Sequence, residues 1–331
     1  KVYREGLASM IKEVEDKMMA LEMRLPNKEK FYFYEASLIT MKAVIRYANR
    51  YAAKAREMAA KEKNAQRKAE LISLAETCEH VPEHPARNLR EAMQCHFICH
   101  IVAELEQVGC GYSEAYLGQN LEPYYQADKA AGLITYEDAV FMFQNLTLKL
   151  NEIGYYFGEF VALQNSADLG QSITLAGFDE EGNHAHAEMD FVILDAAKYL
   201  HLPQPPLSLC YTNKTPGKIL EKVLDLIGTG IGMPQFVSGE AMFKRALHIW
   251  GHTENGGDLP LGKARRTCIG ACVGSYIPYE TGHPIEGQPN LGKVLELTLN
   301  NGFDPRTKKQ IGPKTGNPET FKTFEDLYAA F

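Results

Sequence analysis

The sequence lacks any apolar run close to the roughly 20 residues that cross a bilayer, because Asn, Gln or Glu interrupts its longest apolar stretches. Its first residues also lack a basic and then apolar leader with a cleavage site, and over 1–15 they follow an amphipathic helical pattern. We therefore expect a cytoplasmic protein that has neither an export signal nor a membrane partner.

Basic residues are scarce as well: 35 Lys and Arg against 42 Asp and Glu give a net charge of −7. Phosphate backbones are bound by basic surfaces, so nucleic acid is not an expected partner. The 7 cysteines are odd in number and unevenly spaced, which favours reduced thiols over a disulfide framework. With 45% hydrophobic residues, the chain has enough apolar side chains for a sizeable core.

Motifs of the common hydrolases are missing too, both the Gly-x-Ser-x-Gly nucleophile elbow and the His-Glu-x-x-His zinc motif. The glycines of residues 228–232 resemble a phosphate-binding loop, but they follow a helix instead of a strand. A helix end that leads into a strand is the better interpretation.

Hydrophobic periodicity predicts two different patterns of secondary structure along the chain. Residues 1–150 are mainly helical, with one long helix from Phe31 to Lys68, an interruption at Pro82 and Pro85, and a further helix that carries Cys95 and Cys99. From about residue 170, strands and helices alternate, which predicts an α/β barrel or layered sheet. We expect strands near 172–176, 207–211 and 234–237, helices at 188–200, 218–227, 241–250 and 291–300, and a helix beginning at Thr323.

Two groups of residues have spacings that suggest metal binding. Cys268 and Cys272 are four apart, yet no second cysteine pair follows to complete a zinc site. Cys95, His96, Cys99 and His100 lie on neighbouring faces of one predicted helix. Such a set is more often core packing, and we find no acidic ligand in register, so we assign no metal ligands.

Cys272 follows a short predicted strand and precedes a long Gly- and Pro-rich connection over 276–289. Long loops beside a sheet are frequent positions of functional residues. A single cysteine in an apolar strand is more often merely buried. The residues alone leave both interpretations open.

Several segments, in order, resemble the pyruvate formate-lyase domain of glycyl radical enzymes. They are residues 85–94, 121–128, 132–135, 174–182, 202–209, 230–236, 269–274, 293–302 and 312–318. The resemblance implies an α/β fold, a ten-stranded barrel of two antiparallel five-stranded halves surrounded by helices. Residues 1–331 would then be a fragment of that domain, with a helical jacket over 1–150, the barrel and its cysteine loop over 151–331, and the C-terminal glycyl radical domain absent.

The resemblance also implies roles for individual residues. Cys272 matches the cysteine that becomes a thiyl radical, and Gly270 and Gly274 would let the loop approach the glycyl radical closely. Substrate contacts are expected from the residues that follow, which are Tyr276, Tyr279, Glu280 and His283. The chain itself would bind no cofactor; a radical-SAM activating enzyme would install the radical, and the enzyme would be an anaerobic homodimer that acts on a small molecule.

One departure from the family pattern bears on the reaction. Eliminating members usually carry a Glu two residues after the cysteine, where this chain has Gly274. This favours a carbon–carbon lyase, either an arylacetate decarboxylase or a fumarate-adding enzyme, although no arginine lies between Arg266 and Arg306 to pair with a dicarboxylate. The alternatives are a dehydratase with a relocated base such as Glu280, and a non-catalytic fragment of a split enzyme.

Overall fold

The computed structural model describes residues 1–22, 27–106, 112–153, 170–251, 258–270, 274–278, 280–281 and 290–331. The chain forms two compact units, Lys1–Pro284 and Ile285–Phe331. Among the described residues, no helix combines the length and apolar character needed to span a membrane.

The first half of the larger unit is helical over its described residues. Its helices are α1 Val2–Met19, α2 Lys28–Lys61, α3 Ala65–His80, α4 Leu89–Glu106, α5 Leu117–Ala130 and α6 Tyr136–Asn151. Small side chains let α2 and α3 pack closely, with Ala52 and Ala55 of α2 in one buried cluster with Ala75 of α3. Alanine also has a high helix propensity, so the same residues favour the helices and their contact.

The single long helix that we expected over 31–68 is wrong, since the structure has two helices separated at 62–64. Glu62 and Asn64 both have extended backbone conformations, and the Asn64 side chain accepts a hydrogen bond of 3.0 Å from the Arg67 amide. Asparagine is a favoured N-cap because its side chain satisfies an amide that has no partner within the helix. Asn64 therefore begins a new helix inside a stretch of good helix formers.

The second half of the larger unit alternates strands and helices, as predicted. Its elements are β1 Ile173–Leu175, α7 Glu188–Leu200, β2 Leu207–Tyr211, α8 Gly217–Gly228, β3 Gln235–Ser238, α9 Gly239–Trp250, α10 Leu261–Arg265, β4 Cys268–Gly270 and β5 Gly274–Tyr276. Strands β1, β2 and β3 form a parallel sheet in that order, with Ile173 opposite Leu207 and Ser208 opposite Gln235. Helices α7 and α8 provide the crossovers that parallel neighbours require.

Strand β1 and most of β2 are buried on both faces, so the polar Thr174 and Ser208 are as buried as their apolar neighbours. Ile173 and Leu175 of β1 and Leu209 of β2 are fully buried. They share one core with helical side chains such as Tyr125 and Phe143. Glu114 adds a parallel bridge to Ile173, so the segment before α5 extends the sheet beyond β1.

The α/β class expected from the sequence is therefore observed. The ten-stranded barrel is not, because the described residues form one three-stranded parallel sheet and two separate two-stranded hairpins. The strand predicted near Cys268 is present, but its antiparallel partner β5 was not foreseen.

The smaller unit contains α11 Leu291–Leu299, strands β6 Phe303–Asp304 and β7 Lys309–Gln310, a 3₁₀ turn Pro318–Thr320 and α12 Phe324–Ala330. The buried Asp304 accepts a 2.8 Å bond from Lys293 and two further bonds from Thr307. Both predicted helices of this unit are confirmed, and Thr323 caps the second one through the Asp326 amide.

Candidate active site

Strands β4 and β5 form an antiparallel hairpin that brackets the predicted catalytic cysteine. Cys268 lies opposite Tyr276, and Gly270 lies opposite Gly274. The three residues 271–273, with Cys272 at the centre, therefore connect a closing pair of glycines. Cys272 lies outside the described residues, and its role stays a prediction.

Three hydrogen bonds attach this hairpin to the neighbouring elements. The Ile269 amide donates to Thr174 Oγ1 of β1 at 3.0 Å, and the Tyr276 hydroxyl donates to the Ser113 carbonyl at 3.1 Å. The Tyr116 hydroxyl donates to the carbonyl of Thr267, one residue before β4, at 2.8 Å. Because Tyr116 and Thr267 are both buried, the base of the hairpin is fixed in the core.

The thiols around the hairpin are kept protonated by burial. Burial raises the pKa of Cys268 to about 12, and it raises the pKa of Cys210, on β2, to about 12 as well. The Cys268 thiol donates to the Tyr276 carbonyl at 3.6 Å. Burial likewise raises the pKa of the Tyr276 hydroxyl. The environment thus disfavours thiolates and retains S–H bonds.

Arg266 brings a positive charge to the base of the hairpin. Its guanidinium lies 3.9 Å from the centre of the Tyr116 ring, a cation–π contact. Its Nη1 also donates to Gln119 Oε1 at 2.9 Å and to the Phe178 carbonyl at 3.0 Å. These contacts hold the guanidinium against the Tyr116 ring at the base of the hairpin.

The residues predicted to contact substrate have different surroundings. Tyr276 is half-buried on β5 and bonds Ser113, whereas Glu280 is exposed in the turn that follows and pairs with Lys263 of α10. Tyr279 and His283 lie outside the described residues. The substrate-binding roles of all four remain predictions.

A buried polar cluster that the sequence analysis dismissed lies close to the hairpin. His96 and His100 of α4 meet the carboxylate of Glu114, which directly follows Ser113. The expectation of no acidic ligand in register overlooked Glu104, which is four residues beyond His100 and whose carboxylate is 3.7 Å from His100 Nε2. The i, i+4 spacing of His100 and Glu104 was the available signal, whereas Glu114 reaches the cluster only through folding.

The charges of this cluster are mutually compensating. Burial acts to raise the pKa of Glu114, but the two histidines outweigh it and the pKa is lowered. Burial acts to lower the pKa of His100, but the hydrogen bond to Glu114 prevails and the pKa is raised. An anionic carboxylate beside a cationic imidazole is the state that this geometry favours.

The described residues form an α/β fold in which a short antiparallel hairpin, β4–β5, packs beside a parallel sheet. The comparisons specify the family: the sequence matches the family described as Pyruvate formate lyase-like over residues 1–331. The chain belongs to this family of glycyl radical enzymes.

Among curated proteins, the chain is 30% identical over 339 aligned residues to trans-4-hydroxy-L-proline dehydratase from Clostridioides difficile, covering 100% of this chain and 41% of that protein. It is 31% identical over 306 aligned residues to indoleacetate decarboxylase from Tractidigestivibacter scatoligenes, covering 92% of this chain and 34% of that protein. Both dehydratases and decarboxylases are thus among its relatives.

Among solved structures, a glycyl radical enzyme from Archaeoglobus fulgidus superposes with a TM-score of 0.86 at 28% identity, covering 99% of this chain and 41% of that one. The chain therefore spans between one third and two fifths of the length of these proteins.

Proposed function

We propose that this chain supplies the thiyl-forming cysteine loop of a glycyl radical lyase, with Cys272 as the residue that exchanges hydrogen atoms with a small organic substrate. The hairpin supports this proposal: Gly270 and Gly274 are paired, and Cys272 is the middle residue, in sequence, of the three that connect them. Burial keeps the thiol of Cys268, on β4 of the same hairpin, protonated. The family membership supports it, since relatives along the whole chain are lyases and dehydratases.

Neutral thiols suit this chemistry because a thiyl radical is made from S–H, not from a thiolate. A glycyl radical would take the hydrogen atom of Cys272, which forms a C–H bond and leaves one unpaired electron on sulfur. The sulfur then takes a hydrogen atom from a substrate C–H bond, and it returns that atom to the product radical. Burial of β4 limits access of water and oxygen to the hairpin base.

The rest of the machinery belongs to the same proposal. The glycyl radical would lie on a segment outside these 331 residues, and a radical-SAM enzyme would install it. The parallel sheet and the β4–β5 hairpin would form part of the ten-stranded barrel. The enzyme would work as an anaerobic homodimer in the cytoplasm.

For the reaction itself, we favour carbon–carbon bond cleavage or formation over dehydration. Loss of a hydroxyl group needs an acid or base near the radical carbon, and the residues directly after Cys272 are Val273 and Gly274. Glu280, the nearest carboxylate along the chain, is exposed and engaged with Lys263. Between the two carbon–carbon branches, the lack of an arginine between Arg266 and Arg306 to pair with a dicarboxylate favours arylacetate decarboxylation over fumarate addition.

A dehydratase is the second candidate, because trans-4-hydroxy-L-proline dehydratase is a relative along the full chain. In that case Glu280 would have to leave Lys263 and serve as the base. The two candidates predict different products from the same activated enzyme.

The discriminating experiment incubates the radical-activated enzyme anaerobically with arylacetates, with toluene and fumarate together, and with 4-hydroxyproline and small diols. Release of CO₂ from an arylacetate supports decarboxylation, whereas loss of water from an alcohol overturns the carbon–carbon preference. Glu280→Gln sharpens the result, because loss of a general base costs about 10²–10⁴-fold in kcat. Glu137→Gln, at another exposed glutamate, is the matched control.

A further inference from the structure

Three donor atoms converge in a buried position between α4 and the segment that precedes α5. His96 and His100 are one helical turn apart, with 4% and 1% of their side chains exposed. Glu114 Oε1 lies 3.2 Å from His96 Nε2 and 2.6 Å from His100 Nδ1. All three donor atoms are within 4.8 Å of one another. His96 Nε2 has no partner with hydrogen-bond geometry within the described part of the chain.

The outward-facing nitrogen of each histidine is held by another side chain. The Tyr3 hydroxyl lies 2.8 Å from His96 Nδ1, and Gln171 Oε1 lies 2.7 Å from His100 Nε2. The Gln171 amide group donates to the Leu150 carbonyl at 3.3 Å, which turns its oxygen toward His100. Histidines that bind metals commonly have such a partner on the second nitrogen, because it fixes the tautomer and aims the first nitrogen at the ion.

Backbone hydrogen bonds fix the elements that carry these groups. The Glu114 amide donates to the Ser172 carbonyl at 2.7 Å, and the Thr174 amide donates to the Glu114 carbonyl at 3.2 Å. Tyr3 is anchored at its carbonyl, which accepts a 2.9 Å bond from the Ala86 amide. The carboxylate and the phenol therefore meet the histidines from supports that do not depend on α4.

We propose that His96, His100 and Glu114 form a binding site for a divalent transition-metal ion such as Zn²⁺. Two imidazole nitrogens and one carboxylate oxygen are a donor set that Zn²⁺ and neighbouring ions accept, with further positions left for water. Ligand bonds of about 2.0–2.1 Å in tetrahedral geometry place donors about 3.4 Å apart. The 2.6 Å contact between His100 and Glu114 would open, and the ion would replace the proton shared there.

This site goes beyond the proposed function, because it involves neither Cys272 nor the glycyl radical. Its position still relates the two, since Ser113, which precedes Glu114, accepts the hydrogen bond of Tyr276 on the catalytic hairpin. The rival interpretation is a buried ion pair that has no affinity for metal.

The first measurement titrates Zn²⁺ alone into the reduced, chelator-stripped chain and follows heat and thermal stability. We expect one tight equivalent and a higher melting temperature. Co²⁺ then reports the donor atoms without any substitution: a nitrogen and oxygen site gives ligand-field bands without an intense sulfur-to-cobalt band. An intense sulfur band would assign the ion to cysteines and overturn the proposal.

Variants locate the site on the chain. His96→Gln and Glu114→Gln each remove a ligand, and we expect at least a hundredfold weaker Zn²⁺ binding. Tyr3→Phe removes only the partner of His96 and should weaken binding about 10–100-fold. Cys99→Ser, on the same helix, is the matched control and should bind as tightly as the parent chain.

If the ligand variants fail to fold, Tyr3→Phe and the Co²⁺ spectrum of the parent chain decide the question. The proposal is overturned if the folded chain binds no Zn²⁺ equivalent, or if Tyr3→Phe and Glu114→Gln bind with the parent affinity. If Glu114→Gln destabilises the chain while Zn²⁺ neither binds to nor stabilises the parent chain, the cluster is only a buried ion pair.

Discussion

Two buried polar regions contact strand β1. In one of them the titratable group is neutral, and in the other it is charged. The hairpin bonds Thr174 of β1 and buries Cys268, and this burial keeps the thiol neutral. The cluster bridges Ile173 through Glu114 and keeps a carboxylate anionic between two histidines. Strand β1 thus contacts one region with a neutral thiol and another with a charged carboxylate. Because both regions are buried, the difference in ionisation comes from the charged side chains that lie beside each titratable group.

Asp190 shows what a buried carboxylate does without such partners. It is fully buried, and burial raises its pKa to about 7, although it accepts bonds from the amides of Ala187 and Ala176. Among the described residues, no cation contributes to lowering the pKa of Asp190 in the way that His96 and His100 lower that of Glu114.

The largest effect is expected from a substitution that removes the negative charge from the cluster of His96, His100 and Glu114. Glu114→Ala leaves His100 buried without its counter-charge, and removal of one member of a buried pair costs about 3–5 kcal/mol. Urea unfolding in the presence of a chelator measures the loss. Glu57→Ala, which removes a carboxylate from an exposed pair with Lys54 and Lys61, should leave the midpoint almost unchanged. Equal effects from the two variants would contradict the account.

The second prediction tests the neutral thiols of the hairpin region. With pKa values near 12 instead of the ordinary 9.0, Cys268 and Cys210 should alkylate at pH 8 at least about 10³-fold more slowly in the folded chain than in the unfolded chain. Mass spectrometry after timed iodoacetamide pulses measures each site, and urea provides the unfolded reference. Rapid alkylation of Cys268 in the folded chain would contradict a protonated, buried thiol.

The third prediction tests whether the buried carboxyl group of Asp190, which has no cationic neighbour among the described residues, titrates at a raised pKa. Because its pKa in the folded state lies above the unfolded value of 3.8, its contribution to stability is complete below about pH 4 and is lost as pH rises through 7. The shift corresponds to a loss of about 4 kcal/mol. Asp190→Asn retains an oxygen for both amides and should remove this pH dependence. Parallel stability profiles for variant and parent would show that Asp190 titrates normally.

The smallest effect is expected at the hydrogen bond between Tyr276 of the hairpin and Ser113, the residue before Glu114. Tyr276→Phe removes the hydrogen bond to Ser113 and should cost about 1 kcal/mol in the free energy of unfolding. Aromatic packing is retained, so KM for an aromatic substrate should change little. A large rise in KM with unchanged stability would instead give the hydroxyl a direct substrate contact.

The alternation of strands and helices after residue 170 was predictable because each element there has a clear period and a clear end. Helix 188–200 and strand 207–211 were located to the residue. Strand β5 was missed because Gly274-Ser275-Tyr276 has little β propensity of its own; pairing with β4 creates it. The break at Asn64 was missed because its neighbours all favour helix.

Resemblance, not spacing, assigned Cys272 as a radical site, since the residues alone favoured a merely buried cysteine. The buried cluster was missed for a different reason. Glu114 is fourteen residues beyond His100 and Gln171 is fifty-seven beyond Glu114. Only the bridge to Ile173 brings these side chains to one point, and local sequence patterns carry no sign of it.

The central claim is that Cys272 transfers hydrogen atoms, and Cys272→Ser tests it most directly in radical-activated enzyme. A hydroxyl O–H bond is much stronger than a thiol S–H bond, so we predict that the glycyl radical signal still forms in electron paramagnetic resonance while turnover is lost entirely. Cys268→Ser, four residues away on the same hairpin, should retain activity. Turnover by Cys272→Ser within tenfold of the parent enzyme would contradict the account.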